Sequence, residues 1–231
     1  MLLALSLLPA ILLIVYIYRK DKIEREPVRM LVKLFLWGAV TVVSAAIIEC
    51  LLCMIVGAFL SETSIVYIAI ENFLIVALAE ETGKYIVLKK KTWHSPEFNY
   101  TFDAVVYAVA VSLGFAALEN IIYVTSGTLG TAILRGLTAV PGHAVNGVYM
   151  GCYYGIARKC RAVGDEGSVS TNLRKALWVP VLIHGFYDFC LSLDSVLFIL
   201  VFLVFEVVIT IMAVRKVNKL SREDEEIFDY V

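Results

Sequence analysis

Long polar segments are what this sequence lacks. The gaps between its apolar runs, at 19–30, 89–103, 158–175 and from 215 onward, are each under twenty residues, which leaves no room for a soluble sensor or catalytic domain. Charged residues make up only 18% of the chain, and a net charge of −1 gives no support to nucleic-acid binding. There are 3 histidines and none belongs to an H-E-x-x-H pattern, so the familiar helical zinc motif is excluded. The 5 cysteines are odd in number and suggest no disulfide framework. Cys50 and Cys53 form a C-x-x-C inside an apolar run and read as small packing residues. No internal repeat of the kind that transporters show as matching interrupted helices is evident. No basic residue precedes the first apolar run, which favours a retained anchor over a cleaved signal peptide.

What remains is apolar. Hydrophobic residues make up 60% of the chain and mean hydropathy is +0.83, whereas soluble domains are nearer half apolar. A membrane span needs about 20 such residues, and seven runs qualify: about 1–18, 31–59, 65–88, 104–124, 131–157, 176–193 and 196–214. The expectation is one all-α polytopic membrane bundle over residues 1–231, with about seven transmembrane helices. All but Lys84 and Arg135 of the 20 lysines and arginines lie in or beside the gaps at 19–30, 89–103, 158–175 and the tail. The opposite loops, near 60–64, 125–130 and 194–195, hold none. Because cytoplasmic loops carry the basic excess, the N-terminus is expected outside and the C-terminus, with a cytosolic tail from about 215 to 231, inside. That tail, "REDEEIFDYV", reads as a solvated, frayed end.

Ionisable side chains inside such runs are costly, and mark function when partners can be named. In "LAEETGKYIVLKKK", Glu80 and Lys84 stand at i,i+4 on one helix face, while Glu81 points about 100° away. In "GFAALENIIY", Glu119 lies among Gly114, Ala116 and Ala117, small residues that let helices approach closely. "RGLTAVPGHAVNGVYMG" carries a break expected at Pro141 and Gly142, just before His143. "HGFYDF" places His184 and Asp188 at i,i+4, where the carboxylate can hold one ring nitrogen and fix the tautomer. Counting 1.5 Å per residue, Glu119 and His143 come out roughly 8–10 Å nearer the outer surface than Glu80 and His184. Helix tilt or a boundary shift of about 2–4 residues can close that gap.

Carboxylates beside histidines in a water-admitting bundle can activate water in two ways. A metal held by His and Glu lowers the pKa of its bound water to about 7. Alternatively a buried glutamate takes the proton itself, with a histidine and polar neighbours holding the oxyanion. Spacing alone leaves both open.

Together, "EETGK", "GFAALENIIY", the Arg135 and His143 of "RGLTAVPGH", and "HGFYD" resemble the signature blocks of the PrsW family of bacterial intramembrane proteases, in order and spacing, over Leu78 to Phe189. That family is distantly similar to the CAAX prenyl proteases, from whose blocks this chain departs: Glu119 stands where they have a histidine and Asp188 where they have an asparagine. The resemblance implies an endopeptidase embedded in the cell membrane. It would make the first, extracytoplasmic cut in a single-span anti-sigma factor, during regulated proteolysis that links stress to sigma-factor signalling. The family's glutamate pair falls on Glu80 and Glu81 and its essential histidine on His184. Its usual grouping with metallopeptidases makes Zn2+ the expected ion. The site expected here comprises Glu80 or Glu81 as general base, His184 as ligand or oxyanion partner, Asp188 as its orienter, and Glu119 and His143 completing it. His184, His143 and Glu119 are the candidate metal ligands. The alternative is a cation or proton transporter using the same carboxylates as a relay. A third reading, a non-catalytic receptor, requires that no pocket join the third, fourth and sixth spans. Arg135 offers Glu119 a competing role, as a structural ion pair at similar depth.

Overall fold

The structure, a computed structural model, describes residues 2–228. Its elements are α1 (Leu2–Lys20), α2 (Val28–Gly57), α3 (Ile65–Ala69), a π-helical segment (Ile70–Val76), α4 (Ala77–Thr92), α5 (Asp103–Ser126), α6 (Leu129–Leu137), α7 (Ala139–Ala162), α8 (Glu166–Ser192) and α9 (Val196–Leu220). Among the described residues there is no strand, only an isolated bridge between Tyr100 and Glu226. The all-helical expectation holds. Three helices are long and apolar enough to cross a membrane by length and composition: Val28–Gly57, Asp103–Thr125 and Val196–Leu220. The chain is a multi-pass membrane protein, and the outer faces of α2 and α9 show it. Leu36, Val40, Val43, Ile47 and Leu51 on α2, and Leu200, Val204, Val207 and Ile211 on α9, are all exposed. In lipid such faces cost nothing, since hydrocarbon is as apolar as they are.

Helix α5 is the axis of the bundle, with 78% of its most apolar stretch buried, against 17% for α2 and 11% for α9. Small residues let its neighbours come close. On α7, a Cβ at Gly151 would stand 2.5 Å from Val105 Cα, and one at Gly147 2.9 Å from Val109 Cα. Across the other face, a Cβ at Gly38 of α2 would meet Val111 O at 2.0 Å. Only glycine permits these crossings.

Three local features differ from what the sequence suggests. The third run is one continuous helical path, but with a π-helical stretch in the middle; such insertions are rare and often sit at functional sites. The fifth run breaks at Thr138, between α6 and α7, and not at Pro141. Pro141 instead occupies the first turn of α7, where a missing N–H leaves no bond unmade. The tail is not frayed over its described part. Ile227 N donates to Asn99 O at 2.7 Å and Thr101 N to Glu225 O at 3.1 Å, while Asp224 Oδ1 accepts from Phe102 N at 2.8 Å. Unpaired N–H and C=O groups at the start of α5 find partners there, and that outweighs the tail's charge; its last residues, Asp229–Val231, lie outside the described residues.

Candidate active site

The side chains converge on Lys84. Its buried Nζ lies 2.9 Å from Glu81 Oε1 and 3.1 Å from Glu80 Oε2. The same atom is 3.1 Å from His143 Nδ1 and 3.9 Å from the centroid of the Phe115 ring. Lys84 stands at i+4 from Glu80 and i+3 from Glu81, so both carboxylates reach one ammonium although they diverge around the helix. Glu81 Oε1 also lies 2.9 Å from His184 Nδ1 and accepts from Asn146 Nδ2 at 3.4 Å. His143 and His184 meet edge to face with ring centroids 5.3 Å apart.

Each histidine is held from behind by a carboxylate. His184 Nε2 lies 3.0 Å from Asp188 Oδ2, and His143 Nε2 lies 2.9 Å from Glu119 Oε2. Both rings therefore turn Nδ1 inward, that of His184 toward Glu81 and that of His143 toward Lys84, which is how a carboxylate fixes a metal-binding or basic imidazole. Glu119 makes both a contact to a site histidine and the ion pair that the sequence offers it, because the same Oε2 lies 3.0 Å from Arg135 Nη2. Arg135 is held further by Asn120 Oδ1 at 3.3 Å and by the Tyr123 ring. The depth gap between the two halves of the set is closed in the fold.

A cavity of about 550 Å³ opens beside this cluster, lined by Glu80, Glu119, His143, His184 and Asp188. It joins the third, fourth and sixth spans, as the non-catalytic reading forbids. Glu80 faces it; Glu81, fully buried, does not. Glu49 of α2 and Glu206 of α9 also line it. Sequence reading missed both, along with Asn146, although its place one turn beyond His143 on the same helix face is a usable signal. The two cysteines of the C-x-x-C play no part in the cluster. Cys50 is exposed rather than packed, and Cys53 Sγ approaches Glu71 Oε1 at 3.8 Å.

Ligand atoms of Glu80, Glu81, His143 and His184 lie within 4.8 Å of one another. Glu119 is not in that set, since it stands behind His143. A family model described as PrsW family intramembrane metalloprotease matches residues 26–214. The chain belongs to the PrsW family. Proteins named Protease PrsW resemble it over most of their length: that of Oceanobacillus iheyensis is 36% identical over 190 residues, 82% of each chain. That of Bacillus subtilis is 36% identical over 187 residues, 80% of this chain and 79% of the relative. That of Clostridioides difficile is 30% identical over 194 residues, 82% and 79% of the two chains. No solved structure matches. As a PrsW-family member the chain is a membrane-embedded peptidase.

The family's description implies a metal, and the donors present suit one. Two imidazoles and a carboxylate are a common catalytic zinc set, with a fourth position left for water. Glu81 Oε2 is buried with no hydrogen-bond partner. If His184 Nε2 donates its proton to Asp188, then Nδ1 and Glu81 Oε1 face each other as two acceptors, and a proton or a cation must lie between them. The Lys84 ammonium supplies positive charge to the same donors, so it competes electrostatically with a divalent ion.

Proposed function

We propose that this PrsW-family peptidase makes the first, extracytoplasmic cut in a single-span anti-sigma factor. In this reading Glu80 is the general base, and Glu81, His143 and His184 hold the metal, with Zn2+ the expected ion. The observation that carries the assignment is the division of labour within the glutamate pair: Glu80 lines the cavity and Glu81 is enclosed behind it. A bound divalent ion would polarise the scissile carbonyl and bring the pKa of its water to about 7.

The protein's own residues then have distinct tasks. Glu80 takes a proton from water as the oxygen attacks the peptide carbonyl carbon, and returns it to the amine as the C–N bond breaks. Asp188 and Glu119 hold His184 and His143 with Nδ1 inward. Asn146, which lines the same cavity, offers a neutral amide donor to the developing oxyanion. Lys84 offsets the charge of the glutamates while the site is empty of substrate.

The substrate class is supported by where the cavity lies. Its walls include Ala46 and Glu49 of α2 and Phe205, Glu206 and Ile209 of α9, two helices whose outer faces are open. A segment already in the bilayer therefore meets the site more readily than a soluble chain. Seven crossings with the N-terminus outside follow from the distribution of basic residues and set the side of the cut.

The test is cleavage by purified protein in lipid vesicles, offered single-span peptides and, separately, the same extramembrane sequences without a span. The expected result is cleavage of the spanning peptides alone, lost on chelation and restored by Zn2+. Equal cleavage of soluble peptides would remove the substrate assignment, and activity indifferent to chelation would remove the metal.

A further inference from the structure

Far from the cavity, three acidic side chains meet in a dry place. Asp21 and Glu26 come from the connection between α1 and α2, and Asp103 opens α5. They are 1%, 3% and 0% exposed, and a carboxylate oxygen from each lies within 4.8 Å of the others. Asp103 precedes Glu119 by sixteen residues on the same helix, which separates the two by roughly 24 Å at 1.5 Å per residue. None of the three lines the cavity.

Each residue is locked by bonds that leave oxygen to spare. Asp103 Oδ2 accepts from Tyr100 N at 2.7 Å and from Asn99 N at 3.1 Å. Asp21 Oδ2 accepts from Glu26 N at 3.2 Å, and Glu26 Oε2 from the Tyr107 hydroxyl at 2.5 Å. Asp21 Oδ1 and Asp103 Oδ1 are buried with no partner. Among the described residues no lysine, arginine or histidine forms an ion pair with any of the three.

Buried carboxylates without a counter-charge are expensive, and orphaned buried oxygens call for a partner. We infer that Asp21, Glu26 and Asp103 form a second metal site, for a hard divalent cation, distinct from the intramembrane centre. The donors are all oxygen, with no sulfur or imidazole, the chemistry that suits Ca2+, Mg2+ or Mn2+ and disfavours zinc. Oxygens on opposite sides of a Ca2+ ion stand about 4.6–5.2 Å apart, so the three fit one coordination sphere. The backbone bonds hold one oxygen of each aspartate and leave the other for the ion. The ion ties the α1–α2 connection to the start of α5. The tail is held at that same place, since Asp224 accepts from Phe102 N and Thr101 Oγ1. The cation thus clamps two segments that are separate in sequence, and the tail docks beside them.

The experiment uses full-length protein in detergent, carrying Glu81→Gln and His184→Ala so that the intramembrane donors no longer compete, stripped with chelator and titrated with Mn2+ near pH 7. Electron paramagnetic resonance should report one tightly bound Mn2+ per chain, displaced by Ca2+, and Ca2+ should raise Tm. Adding Asp21→Asn or Glu26→Gln should weaken Mn2+ binding at least tenfold. Absence of tight Mn2+ binding in the doubly substituted protein overturns the site, leaving protons to hold the cluster together. Unchanged affinity in the Asp21 and Glu26 variants overturns it equally, since the ion would then lie elsewhere. Should either variant fail to fold, the Mn2+ titration and the Ca2+ shift in Tm decide alone.

Discussion

Glu119 Oε2 lies 2.9 Å from His143 Nε2 and thereby fixes which ring nitrogen looks toward Lys84. The same oxygen binds Arg135 at 3.0 Å, so one carboxylate both secures the last turn of α6 against α5 and orients a site histidine. Exchanging the charges, Glu119→Arg with Arg135→Glu, separates the two tasks. Each single change should lower Tm in detergent, by less than the roughly 3–5 kcal/mol typical of a fully buried pair, since the two side chains keep 19% and 17% exposure. The double variant should recover stability but not cleavage, because an arginine at 119 cannot accept a proton from His143. Recovered cleavage in the double variant would show that orientation of His143 by Glu119 is dispensable.

Asp188 does for His184 what Glu119 does for His143. Asp188→Asn should leave the protein at normal abundance and reduce both metal affinity and kcat/KM by about 10–100-fold, the usual effect of losing a partner behind a metal-bound histidine. Zinc titration alongside peptide cleavage checks this. Loss of cleavage with zinc affinity intact would assign Asp188 to the chemistry instead.

Much of this site was legible because it is local. Glu80 with Lys84, and His184 with Asp188, are single-helix pairs at i,i+4, and helix geometry alone predicts their contact. The i,i+3 spacing also lets Glu81 reach Lys84, but spacing could not show that Lys84 serves His143 and Phe115, because those contacts depend on how α4, α5 and α7 cross. Those crossings are set by glycines such as Gly151, whose significance emerges only from what stands opposite. The π-helical stretch at Ile70–Val76 has no signature in apolar periodicity. The acidity of the tail favours a solvated end over a docked one, whereas Asp224 finds a backbone N–H donor at the start of α5. The proposed orientation of the bundle rests on lysine and arginine alone.

Packing of α5 against α7 tolerates no side chain at Gly151. A Cβ there would lie 2.5 Å from Val105 Cα and 2.6 Å from Ala104 O, and backbone cannot yield as a flexible side chain does. Gly151→Ala should therefore cost about 1–3 kcal/mol, as overpacking typically does, and His143 on the same helix should lose register. Thermal unfolding in detergent measures the first effect and peptide cleavage the second. An unchanged Tm would mean that the two helices are not so closely apposed.

The proposed orientation has its own check. In a cysteine-free background, single cysteines at Ser61 or Thr128 should react with a membrane-impermeant thiol reagent in intact cells, and those at Ser95 or Ser168 should not. The reverse pattern would place the cut on the cytoplasmic side.

The proposed mechanism depends most on the different tasks of two adjacent glutamates. Glu80→Gln and Glu81→Gln each replace a carboxylate by an amide of nearly equal volume, so they change basicity and ligation and leave packing almost as it was. The measurement is single-span peptide cleavage together with bound zinc, for both variants purified in lipid. Glu80→Gln should retain zinc and lose cleavage by at least a hundredfold, the lower range for removing a general base, while Glu81→Gln should lose both. Robust turnover by Glu80→Gln, or zinc retained in full by Glu81→Gln, would contradict it.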